Sequence, residues 1–303
     1  KAYAEKLDKW ADKPFRVSDD EINETASRLP ETFKEDFALC LSNVREFAKR
    51  QKDSIGEFET EISPGVVLGQ KLIPISRAGC YIPGGKYPLI SAAAMSVATA
   101  KVAGVSHVIG CAPPRPGNDG MFAHTLYALH APGADEIYCI GGVQAMGAMA
   151  YGRVGMKPVD IITGPGNAFV AEAKRQLFGI VGIDLPAGPT EICVLCDETA
   201  DAALVATDLL GQAEHGPDSP AWLVTTSKAM GKAVLAEIDR QLKTLPTRDM
   251  AGRSWRDHGE IVIASSREEA CELVDAYAPE HLEIQTGNDN WYLENLKNYG
   301  SAF

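Results

Sequence analysis

The sequence lacks any apolar run long enough to cross a membrane. No stretch of about 18 uncharged apolar residues occurs in its 303 residues, so no transmembrane helix is predicted. Residues 1–10 are charged and amphipathic, unlike the apolar core of a signal peptide. Basic residues are scarce too, since 29 Lys and Arg stand against 41 Asp and Glu, for a formal net charge of -12. An acidic surface repels polyanions, so we do not expect nucleic acid as a partner, and without an apolar span we do not expect a membrane either.

Cysteine patterns typical of disulfide scaffolds and zinc fingers are also missing. The seven cysteines are an odd number, and most stand in apolar runs, as expected for reduced thiols in a cytoplasmic protein. Cys193 and Cys196 have CxxC spacing, but no second CxxC accompanies them. Because both fall in one strand-like run, side-chain alternation places them on opposite faces. We interpret them as two strand thiols rather than as a redox or zinc pair.

What the sequence does contain is an alternation of short β-branched runs with alanine-rich helical stretches. A helical pattern without strand signals covers residues 18–51, and it starts at a sequence resembling a capping box, Ser18-Asp19-Asp20-Glu21. Alternation of β and α elements implies parallel sheets with helices on both faces. The predicted strands are residues 105–111, 136–140, 160–163, 192–195, 221–225, 260–264 and 282–285, and the predicted helices are residues 92–103, 123–131, 143–150, 168–177, 200–213, 228–242 and 267–276.

The sequence has three glycine-rich turns, at residues 82–85, 141–144 and 163–167, and the last two each follow a predicted strand and precede a helix. Open parallel sheets bind ligands at the carboxyl ends of their strands, and a helix that begins there favours an anionic group. None of the turns has the GxGxxG pattern, so the standard dinucleotide motif is missing. A single such turn is equally well explained as a tight connection, whereas three together favour a phosphate or cofactor cleft.

Two short motifs bring chemically useful side chains together. Gln212 and His215 are three residues apart at the end of a predicted helix, where an amide oxygen and an imidazole can hold a divalent metal if other ligands come from elsewhere. Glu280 and His281 stand directly before a strand, and either can act as a general base. Taken singly, the first motif is better explained by a capping or core histidine, and the second by a surface turn.

In this order and spacing, the segments together closely resemble the histidinol dehydrogenase family over residues 18–303. The matching segments are YIPGG at 81–85, GVQA at 142–145, GPGNAFV at 164–170, EAKR at 172–175, PAGPTE at 186–191, QAEHGPDS at 212–219 and PEHL at 279–282. The resemblance implies an α/β fold of two incomplete Rossmann-like domains with mainly parallel sheets, in addition to the N-terminal helical segment. It also implies NAD, zinc and an intertwined homodimer.

The expected domain division follows from the same resemblance. Residues 1–80 would hold the helical segment and the start of the first Rossmann-like domain, residues 81–190 the second, NAD-side domain, and residues 191–303 the continuation of the first. The Gly/Pro-rich residues 184–189 are the expected crossing point between the two domains.

The resemblance assigns roles to single residues. The expected NAD contacts are Tyr81, Gln144 and Asn167. The expected zinc ligands are Gln212 and His215, the expected catalytic pair is Glu280 and His281, and the expected contacts to a small alcohol substrate are Thr190, Gln212, His215 and His281. In this scheme zinc polarises the substrate oxygen, His281 removes the alcohol proton while a hydride leaves for NAD, and Glu280 activates water for the second oxidation, from aldehyde to carboxylate.

Because the sequence departs from the family pattern at several positions, it is compatible with two different substrates. Thr190 stands where the family usually has serine, and residues 77–81, 86–88, 219–226, 254–257 and 291–295 are more similar to a paralogous branch that oxidises sulfonated alcohols. We therefore expect oxidation of 2,3-dihydroxypropane-1-sulfonate to sulfolactate, with L-histidinol as the alternative substrate. The family's remaining zinc ligands are expected beyond residue 303, which leaves a third hypothesis, an inactive remnant or binding module.

Overall fold

A computed structural model describes residues 2–8, 10, 13–84, 88–115, 117, 120–185 and 190–303. The chain divides into two units, Lys1–Ala187 and Gly188–Phe303. Residues 186–189 of the expected crossing point lie outside the described residues, as does Gly85 of the first glycine-rich turn. The expected grouping of residues 1–80 with residues 191–303 stays a prediction, although its boundary at residue 80 falls inside a strand of the first unit.

The first unit begins with a helical region and a hairpin. Its elements are α1 (Ala2–Asp8), α2 (Asp19–Arg28), α3 (Glu31–Asp53) and the antiparallel pair β1 (Phe58–Ser63) and β2 (Val66–Gln70). Ser18 caps α2 as its sequence predicts, since the Ser18 hydroxyl accepts the N–H of Glu21 at 3.2 Å. The single helical pattern predicted for residues 18–51 is divided in two, because Pro30 forces the preceding Leu29 into an extended conformation.

Five parallel strands form the sheet of the first unit. They are β3 (Arg77–Tyr81), β4 (His107–Ala112), β5 (Glu136–Cys139), β6 (Ile161–Thr163) and β7 (Gly182–Ile183), in the spatial order β5-β4-β3-β6-β7. The connecting helices are α4 (Ile90–Ala103), α5 (Ala123–His130), α6 (Gly142–Tyr151) and α7 (Ala168–Leu177). Alanines such as Ala93 and Ala94 on α4 are fully buried, since small side chains let the helix pack closely.

The second unit repeats this plan. Its parallel strands are β8 (Ile192–Cys196), β9 (Ala221–Thr225), β10 (Gly259–Ile263), β11 (His281–Gln285) and β12 (Ser301–Ala302), in the order β10-β9-β8-β11-β12. Its helices are α8 (Ala202–Ala213), α9 (Lys228–Gln241), α10 (Arg248–His258), α11 (Arg267–Tyr277) and α12 (Asp289–Asn295). Counted along the chain, both sheets have the strand order 3-2-1-4-5, that of a Rossmann sheet without its sixth strand. The prediction of two incomplete Rossmann-like sheets is confirmed.

Strand β8 has a hydrophobic core on each of its faces. Val194 and Cys196 pack with residues of α8, whereas Cys193 and Leu195 pack with residues of α11. The two cysteines therefore point to opposite faces, as their spacing predicts, and burial raises the pKa of the Cys193 thiol to about 12. All seven cysteines are free thiols, which agrees with the interpretation of the CxxC spacing as two strand residues.

Most predicted elements are present with ends shifted by one or two residues, and the missed ones lack a strong pattern. Strand β3 was not predicted because Arg77-Ala78-Gly79-Cys80-Tyr81 contains no β-branched residue. The hairpin β1–β2 is exposed throughout, so it carries no burial alternation. Helix α10 is strongly polar and buries only Ala251 and Ser254. In the described part of the chain, no helix has the length and apolarity to span a bilayer.

Candidate functional site

The three expected NAD contacts lie at one edge of the first sheet. Tyr81 ends β3, Gln144 lies in the first turn of α6, and Asn167 is the N-cap of α7. Because the strands are parallel, these positions share the carboxyl edge, and β3 and β6 are the neighbours between which the strand order reverses. Rossmann-like sheets bind their ligands at this place.

Tyr81 is held at this edge by the start of α6. Its side chain is buried, and its hydroxyl accepts the backbone N–H of Gly142 at 3.1 Å. Burial raises the pKa of Tyr81, and the hydrogen bond from Gly142 opposes this rise. The hydroxyl therefore stays protonated at neutral pH, and its own hydrogen remains available to a ligand.

Gly164, in the turn after β6, is fixed by an ion pair between the buried Lys174 and the partly exposed Asp184. Its N–H donates to Asp184 Oδ2 at 2.6 Å, and its carbonyl accepts from Lys174 Nζ at 2.9 Å. Lys174 is 2% exposed and also pairs with Asp184. The φ angle of Gly164 is +118°, and a Cβ at this position would lie 1.9 Å from the Tyr81 carbonyl oxygen. The turn thus packs directly on the backbone of Tyr81, and only glycine fits.

The side-chain amides of Asn167 and Gln144 at this edge make different hydrogen bonds. Asn167 Oδ1 accepts the N–H groups of Phe169 and Val170 at 3.1 Å each, which caps α7 and leaves the amide NH2 as a donor. Gln144 Nε2 donates to Asp8 Oδ2 at 2.7 Å, while Gln144 Oε1 is buried without a hydrogen-bond partner in the described structure. An orphaned buried acceptor of this kind fits a ligand that donates a hydrogen bond.

In the second sheet, the residues expected to catalyse the reaction or to bind substrate and zinc lie at the edge where the strands begin. His281 begins β11, Thr190 precedes β8, and Gln212 lies in the last turn of α8, which returns the chain to the start of β9. All three are therefore at the amino edge. The expected NAD contacts thus lie at carboxyl ends of strands, whereas these residues do not.

His281 is oriented by a backbone carbonyl. Its Nδ1 lies 3.1 Å from the carbonyl oxygen of Glu191. Since a carbonyl oxygen can only accept, Nδ1 carries a proton in this contact, so in the neutral ring the lone pair is on Nε2. The ring of Phe303 stacks on the imidazole with centroids 6.2 Å apart. A neutral, oriented imidazole with an open Nε2 is suited to act as a general base.

Glu280 is an exposed carboxylate held mainly through its backbone. Its N–H donates to Glu191 Oε1 at 3.1 Å, its carbonyl accepts the N–H of Ser301 at 2.9 Å, and its Oε2 lies 3.8 Å from His281 Nδ1. Two residues before it, Ala278 adopts a left-handed conformation with φ 51° at the end of α11. This sharp turn brings Glu280 and His281 to the edge as a pair, as the motif predicts.

The expected zinc ligands supply only part of a metal site. Gln212 is buried, and its Nε2 donates to Thr190 Oγ1 at 2.8 Å, which leaves Oε1 as the free amide acceptor. His215 is exposed two residues after the end of α8. A zinc site needs three or four ligands, and the described residues contain no group of three His, Cys, Asp or Glu side chains that could hold a metal. They do not by themselves form a complete zinc site.

A carboxyl pair beside His281 was missed from the sequence. His281, Glu283 and Gln285 share one face of β11, and Gln285 Nε2 donates to Asp208 Oδ2 at 2.9 Å and to Glu283 Oε2 at 3.1 Å. Burial, and then the nearby Asp208, raise the pKa of Glu283 to about 7. The signals were present, because Asp208 is four residues before Gln212 on α8 and the polar residues of β11 alternate with Leu282 and Ile284.

The raised pKa of Glu283 predicts a pH dependence of stability. Glutamate in an unfolded chain loses its proton near pH 4.3, but folded Glu283 holds its proton until about pH 7, so stability falls as pH rises across this window. Glu283→Gln cannot ionise and should remove this fall. Discounted for partial exposure, the variant should be more stable than wild type by about 1 kcal/mol at pH 8 and equal to it near pH 4.

Urea unfolding of both proteins at pH 4, 5, 6, 7 and 8 measures this effect. Glu272→Gln, at an exposed glutamate of α11, is the matched control and should follow the wild-type pH profile. Parallel profiles for wild type and Glu283→Gln would contradict the prediction.

Comparison with known proteins agrees with this architecture. The family model for histidinol dehydrogenase matches residues 1–303. A histidinol dehydrogenase homolog of Shouchella clausii is 52% identical over 297 residues, covering 98% of this chain and 70% of that protein. The sulfopropanediol 3-dehydrogenase of Ruegeria pomeroyi is 47% identical over 303 residues, covering 99% of this chain and 69% of that protein. The crystal structure of histidinol dehydrogenase from Elizabethkingia anophelis superposes with a TM-score of 0.94 at 35% identity, covering 100% of this chain and 69% of that one.

Two doubly wound sheets of Rossmann strand order define an α/β protein of the kind that binds dinucleotides. The whole-chain family match and the relatives above 30% identity narrow this class, and the chain belongs to the histidinol dehydrogenase family, a family of NAD-dependent oxidoreductases.

Proposed function

We propose that this protein oxidises a small primary alcohol through the aldehyde to the carboxylate with NAD. The observation that carries the proposal is the contact of His281 Nδ1 with the Glu191 carbonyl at 3.1 Å, which leaves Nε2 free as a base. His281 shares the amino edge of the second sheet with Glu280, Gln212 and Thr190.

His281 would act in the first oxidation. Its Nε2 removes the hydroxyl proton of the alcohol while the carbon loses a hydride, and the Glu191 carbonyl stabilises the imidazolium that forms through the Nδ1–H bond. When bound, NAD supplies the hydride acceptor. Glu280, an exposed carboxylate 3.8 Å from the His281 ring nitrogen, would then take a proton from water as the water adds to the aldehyde. A second hydride transfer gives the carboxylate, so each alcohol reduces two NAD.

The carboxyl edge of the first sheet fits NAD in its donor and acceptor chemistry. Gln144 Oε1 is a buried acceptor without a partner in the described structure, and the Tyr81 hydroxyl and the Asn167 amide keep hydrogens to donate. The turn at Gly164 brings backbone close to this edge. We propose Tyr81, Gln144 and Asn167 as the side chains that hold NAD.

Zinc is the metal we propose at Gln212 and His215, together with ligands that the described residues do not supply. The support is the type of the donors and the orientation of Gln212, whose Nε2 is occupied by Thr190 so that Oε1 is free. When bound, zinc would polarise the alcohol oxygen.

For the substrate, we propose 2,3-dihydroxypropane-1-sulfonate, with sulfolactate as product. The support is the 47% identity to a protein named sulfopropanediol 3-dehydrogenase, together with the segments that resemble that branch. L-Histidinol is the alternative, since a histidinol dehydrogenase homolog is 52% identical. A sulfonate is a permanent anion, so its site differs from an imidazole site in needing charged or strong neutral donors.

An assay of NADH formation with each alcohol, with and without a zinc chelator, tests the proposal. We expect turnover of the sulfonated alcohol and loss of turnover on chelation, restored by added zinc. Turnover of L-histidinol alone would overturn the substrate, and turnover that resists chelation would overturn zinc. A folded protein that binds NAD and oxidises neither alcohol would instead favour the inactive remnant or binding module.

We also propose a homodimer, in which a second copy covers the hairpin β1–β2. A two-stranded sheet is marginal by itself, yet here both faces are exposed and carry large apolar side chains, and such patches mark protein contacts. These side chains are Phe58, Ile62, Val66, Val67 and Leu68. Light scattering of the purified protein should give the mass of two chains, and Leu68→Glu should give that of one.

A cytoplasmic location is proposed from the seven free thiols.

A further inference from the structure

Asp8, the last residue of α1, reaches the carboxyl edge of the first sheet. Its Oδ2 accepts from Gln144 Nε2 at 2.7 Å, and its carboxylate also accepts the backbone N–H of Gly141. Asp8 and Gln144 are 136 residues apart in the chain. The contact therefore places an acidic side chain from the N-terminal region directly beside an expected cofactor contact.

Two hydrogen-bond acceptors at this place, Gln144 Oε1 and the Asp8 carboxylate, have lone pairs available to a ligand. Gln144 Oε1 is buried and has no partner in the described structure, and the Asp8 carboxylate, with two N–H donors, keeps lone pairs free. Tyr81 is also close enough for the charge of Asp8 to affect it. Two acceptors side by side are complementary to two neighbouring hydroxyl groups, such as the 2′ and 3′ hydroxyls of a ribose.

We propose that Asp8 makes this site selective for NAD over NADP, by accepting a hydrogen bond from a ribose hydroxyl and repelling a 2′-phosphate. The inference rests on the proposed function, because it takes the edge around Gln144 as the dinucleotide site. Its chemistry is that of acidic residues that contact the ribose of NAD in doubly wound proteins, although the sequence has no GxGxxG turn to locate such a residue.

The electrostatics favour a large discrimination. A 2′-phosphate replaces a hydrogen-bond donor by a group with about two negative charges, which would meet the Asp8 carboxylate and the orphaned Gln144 oxygen together. Burial raises the pKa of Asp8 above its usual value, and the hydrogen bonds from Gln144 and Gly141 oppose this rise. Since sites built around a substrate hydroxyl reject analogues that lack it, we expect NADP to bind at least about 100-fold more weakly than NAD.

A purely structural role for Asp8 predicts a different result. If Asp8 only caps the start of α6, its removal weakens the site for both dinucleotides alike, and the ratio of their affinities stays constant. The ratio is thus the quantity that separates recognition from capping.

Titration calorimetry of the wild-type protein with NAD and with NADP measures the ratio without catalysis. Asp8→Asn keeps the size of the side chain and removes its charge, so the preference for NAD should fall at least about 10-fold, mainly through tighter NADP binding. Asp8→Glu keeps the charge and should retain most of the preference. Asp36→Asn, at an exposed aspartate of α3, controls for the loss of one surface charge and should change nothing.

The possible results test the role of Asp8 separately from the proposed cofactor site. An unchanged ratio in a folded Asp8→Asn protein, as judged by its urea midpoint, would overturn the role of Asp8 while leaving the cofactor site standing. A wild-type protein that binds both dinucleotides equally would do the same. Binding of neither by wild type would overturn the proposed cofactor itself.

Discussion

His281→Asn is expected to lower kcat by about 10²–10⁴-fold, the range typical for loss of a positioned general base. Asparagine can still donate its side-chain N–H to the Glu191 carbonyl, so the contact that orients His281 at 3.1 Å has a replacement. It has no group that takes a proton at neutral pH. The variant should therefore fold normally, bind NAD normally and fail in the chemical step, as measured by NADH formation under saturating alcohol.

His258→Asn is the matched control for this experiment. His258 ends α10 in the same unit and is exposed, and it precedes the edge strand β10, which two strands separate from β11. The control should keep the wild-type kcat. A His281→Asn protein that retains more than about a tenth of wild-type turnover would contradict the role of His281 as the base.

Gly164→Ala is expected to lower the free energy of unfolding by about 3 kcal/mol and to weaken NAD binding. The added Cβ would lie 1.9 Å from the Tyr81 carbonyl oxygen, and φ +118° is unfavourable for any residue with a Cβ. A left-handed alanine costs about 1–2 kcal/mol and overpacking a further 1–3 kcal/mol. The turn cannot move freely, because Lys174 and Asp184 hold both of its backbone polar groups.

Gly147→Ala, in the same unit, is the matched control and is expected to raise the free energy of unfolding. Gly147 lies inside α6, and a Cβ there would meet no atom within 4 Å. Since alanine is the better helix former, this control should stabilise the protein by about 0.5–1 kcal/mol. Urea midpoints of the two variants measure the contrast, and a Gly164→Ala protein as stable as wild type would show that the turn can relax.

The sequence predicts the framework of the fold well, because each βα unit carries its own signals. Short β-branched runs followed by alanine-rich helices identify parallel strands, and the capping residue Ser18 starts its helix as expected. Strand β3 was missed for a physical reason. It lies in the centre of its sheet, where burial on both faces and pairing with β4 and β6 form a strand from residues of weak β propensity.

The candidate site was predictable as a set of residues but not as an arrangement. Motif resemblance selects Tyr81, Gln144, Gln212 and His281 together, without giving the edge on which each lies. The position of Glu280 and His281 at the start of β11 was a usable sign of the amino edge, because parallel strands all begin on one side. No local pattern pairs Asp8 with Gln144, since chain folding alone brings such distant residues into contact.

The sequence by itself determined the alternation of strands and helices, the parallel sheets that follow from it, and the family to which the chain belongs. These depend on hydrophobic periodicity, caps and turn residues, which act over a few positions. The tertiary structure alone decided which acceptors are buried without partners, which carbonyl orients His281, and why Glu283 keeps its proton to about pH 7. Those properties depend on desolvation and on contacts between residues far apart in the chain, and they exist only once the sheets have formed.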